Sequence, residues 1–195
     1  MNTIPQTLDE RVIRGSVVTN VLLVVAGSAL IAIAAQIAIN VPFSPVPLTM
    51  QPIAVLLTGV VLGSKRGAAA ATLYLLEGMS GMPVFAQMHG GAAWLLGPTA
   101  GYLWSYPFAA FVAGWFSEKN WGSTIMRAVA GMLVALAVIY LGGWSWLAML
   151  TGARNAFVAG VAPFVVADIV KIAIAATLLP YAQRVSAVFS RHNAG

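Results

Sequence analysis

The stretch Ala156–Leu179 reads AFVAGVAPFVVADIVKIAIAATLL, an apolar run with Asp168 and Lys171 near its middle. At about 1.5 Å per residue it is long enough to cross the ~30 Å hydrocarbon core of a bilayer. An ionised side chain at that depth costs at least ~2.5–3.5 kcal/mol on insertion scales. Residues three apart share a helical face, so Asp168 and Lys171 can offset each other and point into one interior space. Two readings follow: a structural ion pair tying helices together, or a polar site buried in protein. The second is favoured, because intramembrane ionisable residues mark substrate or ion sites.

The composition agrees with a membrane location. The chain has 195 residues, 60% hydrophobic and only 8% charged, with a mean hydropathy of +0.88. A soluble domain carries about a quarter charged residues. One transmembrane domain spanning 1–195 is expected at this length. The net charge of +5 comes from basic residues scattered between apolar runs rather than gathered in a stripe. That pattern suits orientation in a lipid bilayer and gives no footprint for nucleic acid. There are no cysteines, which excludes disulfides and thiolate metal sites.

Outward from the last span, the chain reads as six transmembrane helices. Residues 1–15, with Asp9, Glu10, Arg11 and Arg14, form a polar tail, and Val17–Ile39 is an uncharged first span. In this span Ser28 and Ala32, and Ala34 and Ala38, are spaced four apart, which lets another helix approach closely. Residues 41–50 lie in NVPFSPVPLTMQ, where Pro42, Pro45 and Pro47 remove backbone donors and favour an extended loop packed over something. Pro52–Leu62 and Gly67–Leu76 are short apolar helices expected to turn at Ser64-Lys65-Arg66. Glu77–Gly101 is broken by six glycines and two prolines, as irregular backbone lining a cavity would be. Gln87 is a candidate for hydrogen bonding a ligand there, His89 is expected as an exposed loop residue, and Glu77 at the membrane surface. Ala92–Trp115 and Ala128–Leu150 are the fourth and fifth spans, with Trp94 and Trp115 read as interfacial. The polar residues 184–195 form the second tail.

With both termini in the cytoplasm, eight of the ten basic residues lie inside, Arg154 lies outside and Lys171 within a span. The reverse orientation puts one inside, so the positive-inside rule decides for cytoplasmic ends. The Pro-rich loop then caps the outer side. Gly59–Lys65 fails the phosphate-loop spacing G-x-x-x-x-G-K-[ST], and no nucleophile with a base and no metal cluster is visible. Neither a catalytic nor a metal site is expected.

The runs VPFSPVPLTMQ, LLTGVVLGSKRGAAAATLYLLEGMSGMPVF and GGAAWLLGPTAGYLW, with the late DIVK at Asp168–Lys171, closely resemble the BioY family. That family is the biotin-specific substrate-binding (S) component of energy-coupling-factor (ECF) transporters. The resemblance covers about Val41–Tyr106 and the last span. It implies an all-α bundle of six helices in the bacterial inner (plasma) membrane that captures biotin in an outward-facing pocket. It also implies that a separate transmembrane coupling subunit and a pair of cytoplasmic ATPases drive transport, so the chain itself is no enzyme.

The resemblance points to Asp168, Lys171 and Gln87 as ligand contacts. Biotin's ureido ring offers two N–H donors and a carbonyl, which a carboxylate and a cation or amide match in a dry pocket. Its fused sulfur ring needs apolar walls, expected from Tyr74, Phe85, Trp94 and Tyr102. Lys171 meets either the ureido carbonyl or the valerate carboxylate. Thr49 and Gln51 belong to a matching motif, with structural roles as open as ligand contact. Biotin is the transported ligand and no cofactor is expected. An S component for another small vitamin, a membrane-embedded enzyme and a scaffold are the alternatives.

Overall fold

The computed structural model describes residues 17–119 and 124–192, with side chains described through Thr177 except at Thr124. The expected tail 1–15 and the last three residues, 193–195, lie outside them. Helix α1 spans Val17–Gln36. Its buried residues Gly27, Ser28, Ile31, Ala34 and Ala35 recur at helical spacing and form one stripe of mainly small side chains. A Cβ on Gly27 would stand 2.9 Å from that of Ala70, so α1 lies close against its neighbours along this stripe. The opposite face, with Val18, Leu22, Val25 and Ile33, is exposed.

After α1 the Pro-rich loop is closed at its base by a two-residue antiparallel ladder, β1 (Ala38–Ile39) with β2 (Leu48–Thr49), in register Ala38↔Thr49 and Ile39↔Leu48. The fold is therefore mostly helical rather than purely so. Helix α2 (Gln51–Leu62) follows, with Pro52 in its first turn where a missing N–H costs nothing. Nine of its twelve residues are buried, which explains how so short a helix is tolerated. The turn expected at Ser64–Arg66 is instead the single residue Gly63 at φ 86°, and Ser64 already opens α3 (Ser64–Met79). The start of α3 is held by Glu118, whose carboxylate accepts from the Ser64 N–H and, at 2.9 Å, from its hydroxyl. Glu77 is half-buried and accepts from the fully buried Ser28 hydroxyl, so it joins α1 to α3.

The fourth helix begins later than expected. Gly91 at φ 100° and Pro98 interrupt the chain, Ala92–Leu95 makes one 3-10 turn, and α4 runs Ala100–Glu118. Trp94 is thus in the loop and not at the head of a span. Helix α5 covers Thr124–Thr151. The last apolar run is also broken: α6 (Ala153–Gly160) and α7 (Ala162–His192) meet at a bend of 40°. Pro163, without an N–H, falls at the second position of α7, where none is needed. Helix α7 continues through His192, so most of the expected tail 184–195 carries the helix onward.

By length and apolarity alone, α1 and Ile125–Thr151 suffice to cross a membrane, and the bent pair makes a third span when taken together. Helix α4 packs against α2, α3 and above all α5, through fully buried Ala109, Ala110 and Ala113. The loops following α1 and α3 meet around the cavity.

Candidate functional site

A cavity of about 160 Å³ opens at the loop end, room on the order of ten waters. Its roof is the Pro45–Thr49 segment, its sides come from the 85–99 loop and α4, and its far wall from α5 and α7. Asp168, 5% exposed, is the acidic group on that wall. Its carboxylate is already engaged on both oxygens: the Tyr140 hydroxyl donates to Oδ2 at 2.6 Å and the Lys171 ammonium to Oδ1 at 2.7 Å. Each oxygen has two lone pairs, so one on each remains for a ligand N–H. Lys171 also donates to the Thr49 carbonyl at 2.8 Å. Lys171 does not line the cavity; it ties the end of the Pro-rich loop to α7 and holds the carboxylate in place.

A polar shelf lies beside this pair. Thr49 and Gln51 are buried and line the cavity, and the Gln51 amide donates to the Tyr74 hydroxyl. Tyr74, with no exposure, stands behind the wall, its ring edge-on to Phe85 at 5.5 Å. The other expected wall residues, Phe85, Trp94 and Tyr102, face the cavity directly, as does Gln87. Tyr102 is locked at both ends. Its hydroxyl donates to the Gly160 carbonyl at 2.6 Å, just before the bend, and its ring occupies space that a side chain at Gly143 would fill. Gln87 adopts φ 60°, a conformation costing ~1–3 kcal/mol without glycine, and donates to Asn40 Oδ1 at 2.7 Å. His89 is half-buried rather than exposed, its ring 4.1 Å from that of Trp94 and its Nδ1 2.8 Å from the Ala86 carbonyl.

Sequence reasoning missed Tyr106, Ile139, Tyr140 and Phe164, all on the cavity wall. Tyr140 is a polar aromatic inside an otherwise uncharged span, which is the available signal; its bond to Asp168 joins residues 28 apart on different helices. Among the described residues no group of three His, Asp or Glu side chains is placed to hold a metal. Chemically, the cavity offers a desolvated anionic acceptor at one wall, amide groups at the rim and aromatic faces between them. Such a site fits a compact ring with N–H donors and an apolar body.

Known proteins similar to this chain bear on its family and, separately, on its fold. A chain from Pyrococcus horikoshii described as a probable biotin transporter BioY is 46% identical over 147 residues, covering 75% of this chain and 85% of that one. The biotin transporter BioY of Thermotoga maritima is 40% identical over 155 residues, covering 77% and 88% respectively. A crystal structure of the S-component for biotin from an ECF-type ABC transporter superposes with a TM-score of 0.74 over 87% of this chain and 91% of that one, at 23% identity, which establishes the shared fold. The BioY family model matches residues 5–188, and the chain belongs to the BioY family.

Proposed function

We propose that this membrane protein captures biotin as the substrate-specific subunit of an energy-coupling-factor transporter. The observation that carries the reading is a buried carboxylate, Asp168, facing a cavity roofed by the Pro-rich loop, in a chain closely similar to biotin transporters. Biotin's ureido N–H groups would take the remaining lone pairs of Asp168, and its thiolane ring would lie between Phe85, Trp94 and Tyr102. The amides of Gln87 and Gln51 would meet polar atoms at the rim. Lys171 would act chiefly through Asp168, because its ammonium donates to Asp168 and to the Thr49 carbonyl of the protein itself.

Six crossings in one transmembrane domain, 1–195, accommodate the helices: α1 to α5 one each, and α6 with α7 as a bent sixth. The short α2, about 18 Å at 1.5 Å per residue, suffices where the Pro-rich loop fills the outer leaflet above it. The clustering of basic residues on one side supports cytoplasmic termini and a place in the plasma membrane. A transmembrane coupling subunit and two ATPases would supply the energy, consistent with the missing phosphate-loop spacing in the sequence.

Isothermal titration of detergent-purified protein with biotin, thiamine and riboflavin tests the reading. Saturable 1:1 binding of biotin alone supports it; preference for another vitamin, or none, overturns it. A finer expectation concerns Tyr140. Tyr140→Phe keeps the ring but removes one of the two bonds that orient the Asp168 carboxylate, leaving that from Lys171. Biotin affinity should fall about tenfold, equivalent to ~1.4 kcal/mol. The same titration checks this, and an unchanged affinity would remove Tyr140 from the site.

A further inference from the structure

The turn that carries Gln87 is held from outside the cavity, by the last residue of α1. The Gln36 side-chain nitrogen donates to the carbonyls of Ala32 at 3.0 Å, Val84 at 3.3 Å and Phe85 at 3.2 Å. Its side-chain oxygen accepts the Met88 N–H at 2.9 Å. Gln87 and Met88, at φ 60° and 59°, are the two non-glycine residues with positive φ among the described residues. In that conformation Cβ crowds the neighbouring carbonyl, so the bond from Met88 to Gln36 opposes relaxation, together with the Phe85 N–H bond to the His89 carbonyl at 2.9 Å that closes the turn. Gln36 does not line the cavity, yet three of its four bonds reach the segment from which Phe85 and Gln87 do.

We propose that Gln36 is a positioning residue for the capture site: its amide holds the strained Gln87–Met88 turn and thereby fixes Phe85 and Gln87 on the cavity wall. The amide also ties the wall to α1. A displacement of α1 along its axis must carry the 84–88 segment with it or open the clamp. The binding consequence rests on the biotin reading; the conformational consequence does not.

The experiment pairs biotin titration with hydrogen exchange of the Met88 amide in ligand-free protein in detergent. Gln36→Leu should weaken biotin binding about tenfold and speed exchange at Met88. Glycine adopts positive φ without steric cost, so adding Met88→Gly to Gln36→Leu should restore affinity to within about threefold of the Met88→Gly single variant. A residue that merely supports folding would not be rescued this way. Gln36→Met, close in size and flexibility but without the acceptor for Met88 or the donors, should likewise speed exchange at Met88 and serves if the leucine variant fails to fold. Unchanged exchange at Met88 in Gln36→Leu, or a double variant binding no better than Gln36→Leu, overturns the proposal. If the unaltered protein binds no biotin, the capture reading fails, and exchange at Met88 still decides the role of Gln36.

Discussion

Asp168→Asn is expected to weaken biotin binding roughly 100-fold, equivalent to ~2.7 kcal/mol. The amide is nearly isosteric, so the cavity keeps its shape and the loss reports charge and hydrogen bonding. A ligand N–H donating to a carboxylate gains about 1.5–3 kcal/mol, more than to a neutral amide. The second effect lies in the protein. Lys171 donates to Asp168 at 2.7 Å and to the Thr49 carbonyl at 2.8 Å; after the substitution both of its acceptors are neutral and the opposite charge is gone. Stripping a fully buried ammonium of its anion costs ~3–5 kcal/mol; the Lys171 side chain is 15% exposed, so the cost is smaller, and the variant should still unfold at lower temperature. Asp168→Asn combined with Lys171→Met removes both charges; it should regain thermal stability relative to the single variant while affinity stays low. Titration and thermal unfolding in the same detergent separate the two effects. Binding within threefold of the unaltered protein in Asp168→Asn would show that the ligand does not use this carboxylate.

The long helices and the acidic wall of the cavity are legible because each rests on a local signal. Uncharged runs predicted α1 and α5, and two ions in an apolar run singled out α7. The breaks were less legible. The bend between α6 and α7 has its local signal in Gly160 and Pro163, masked by the apolar run around them, while the bond at that point, Tyr102 donating to the Gly160 carbonyl 58 residues later, is in no local pattern. The delayed start of α4 has its signal in Gly97 and Pro98, masked by the apolar character of Ala92–Leu96. Within the site, Phe85, Trp94 and Tyr102 face the cavity while Tyr74 stands one layer back. Residue type could not distinguish these positions, because both layers are aromatic. Tyr140 and Gln36 escaped for the same reason: each matters through one tertiary hydrogen bond or a small set of them.

Gly59→Ala should lower the thermal unfolding temperature by several degrees, the largest stability effect expected of so small a change. On an open helix the substitution would stabilise by ~1 kcal/mol, since alanine is the better helix former. At Gly59 the added methyl would overlap the Ala110 carbonyl oxygen of α4, with the Ala110 carbonyl carbon at 2.9 Å and its Cα at 3.0 Å. These are backbone atoms, so no side-chain rotation relieves the clash. Retreat in the other direction is limited, because a Cβ on Gly67 of α3 would already stand 2.7 Å from the Gly59 Cα. Helix α2 is therefore pinched between α3 and α4, and the methyl must push helices apart. Overpacking of this kind costs ~1–3 kcal/mol even where side chains can adjust, which outweighs the propensity gain. Gly97→Ala is the contrasting case: its nearest neighbours would be at 3.7 and 3.9 Å, and its effect should be close to neutral. The same displacement of α2 would move Gln51, at its head, on the cavity wall, so Gly59→Ala should also weaken biotin binding severalfold while Gly97→Ala does not. Thermal unfolding and titration of the two variants decide the matter, and a Gly59→Ala protein as stable as the unaltered one would mean that α2 and α4 are not in backbone contact at this point.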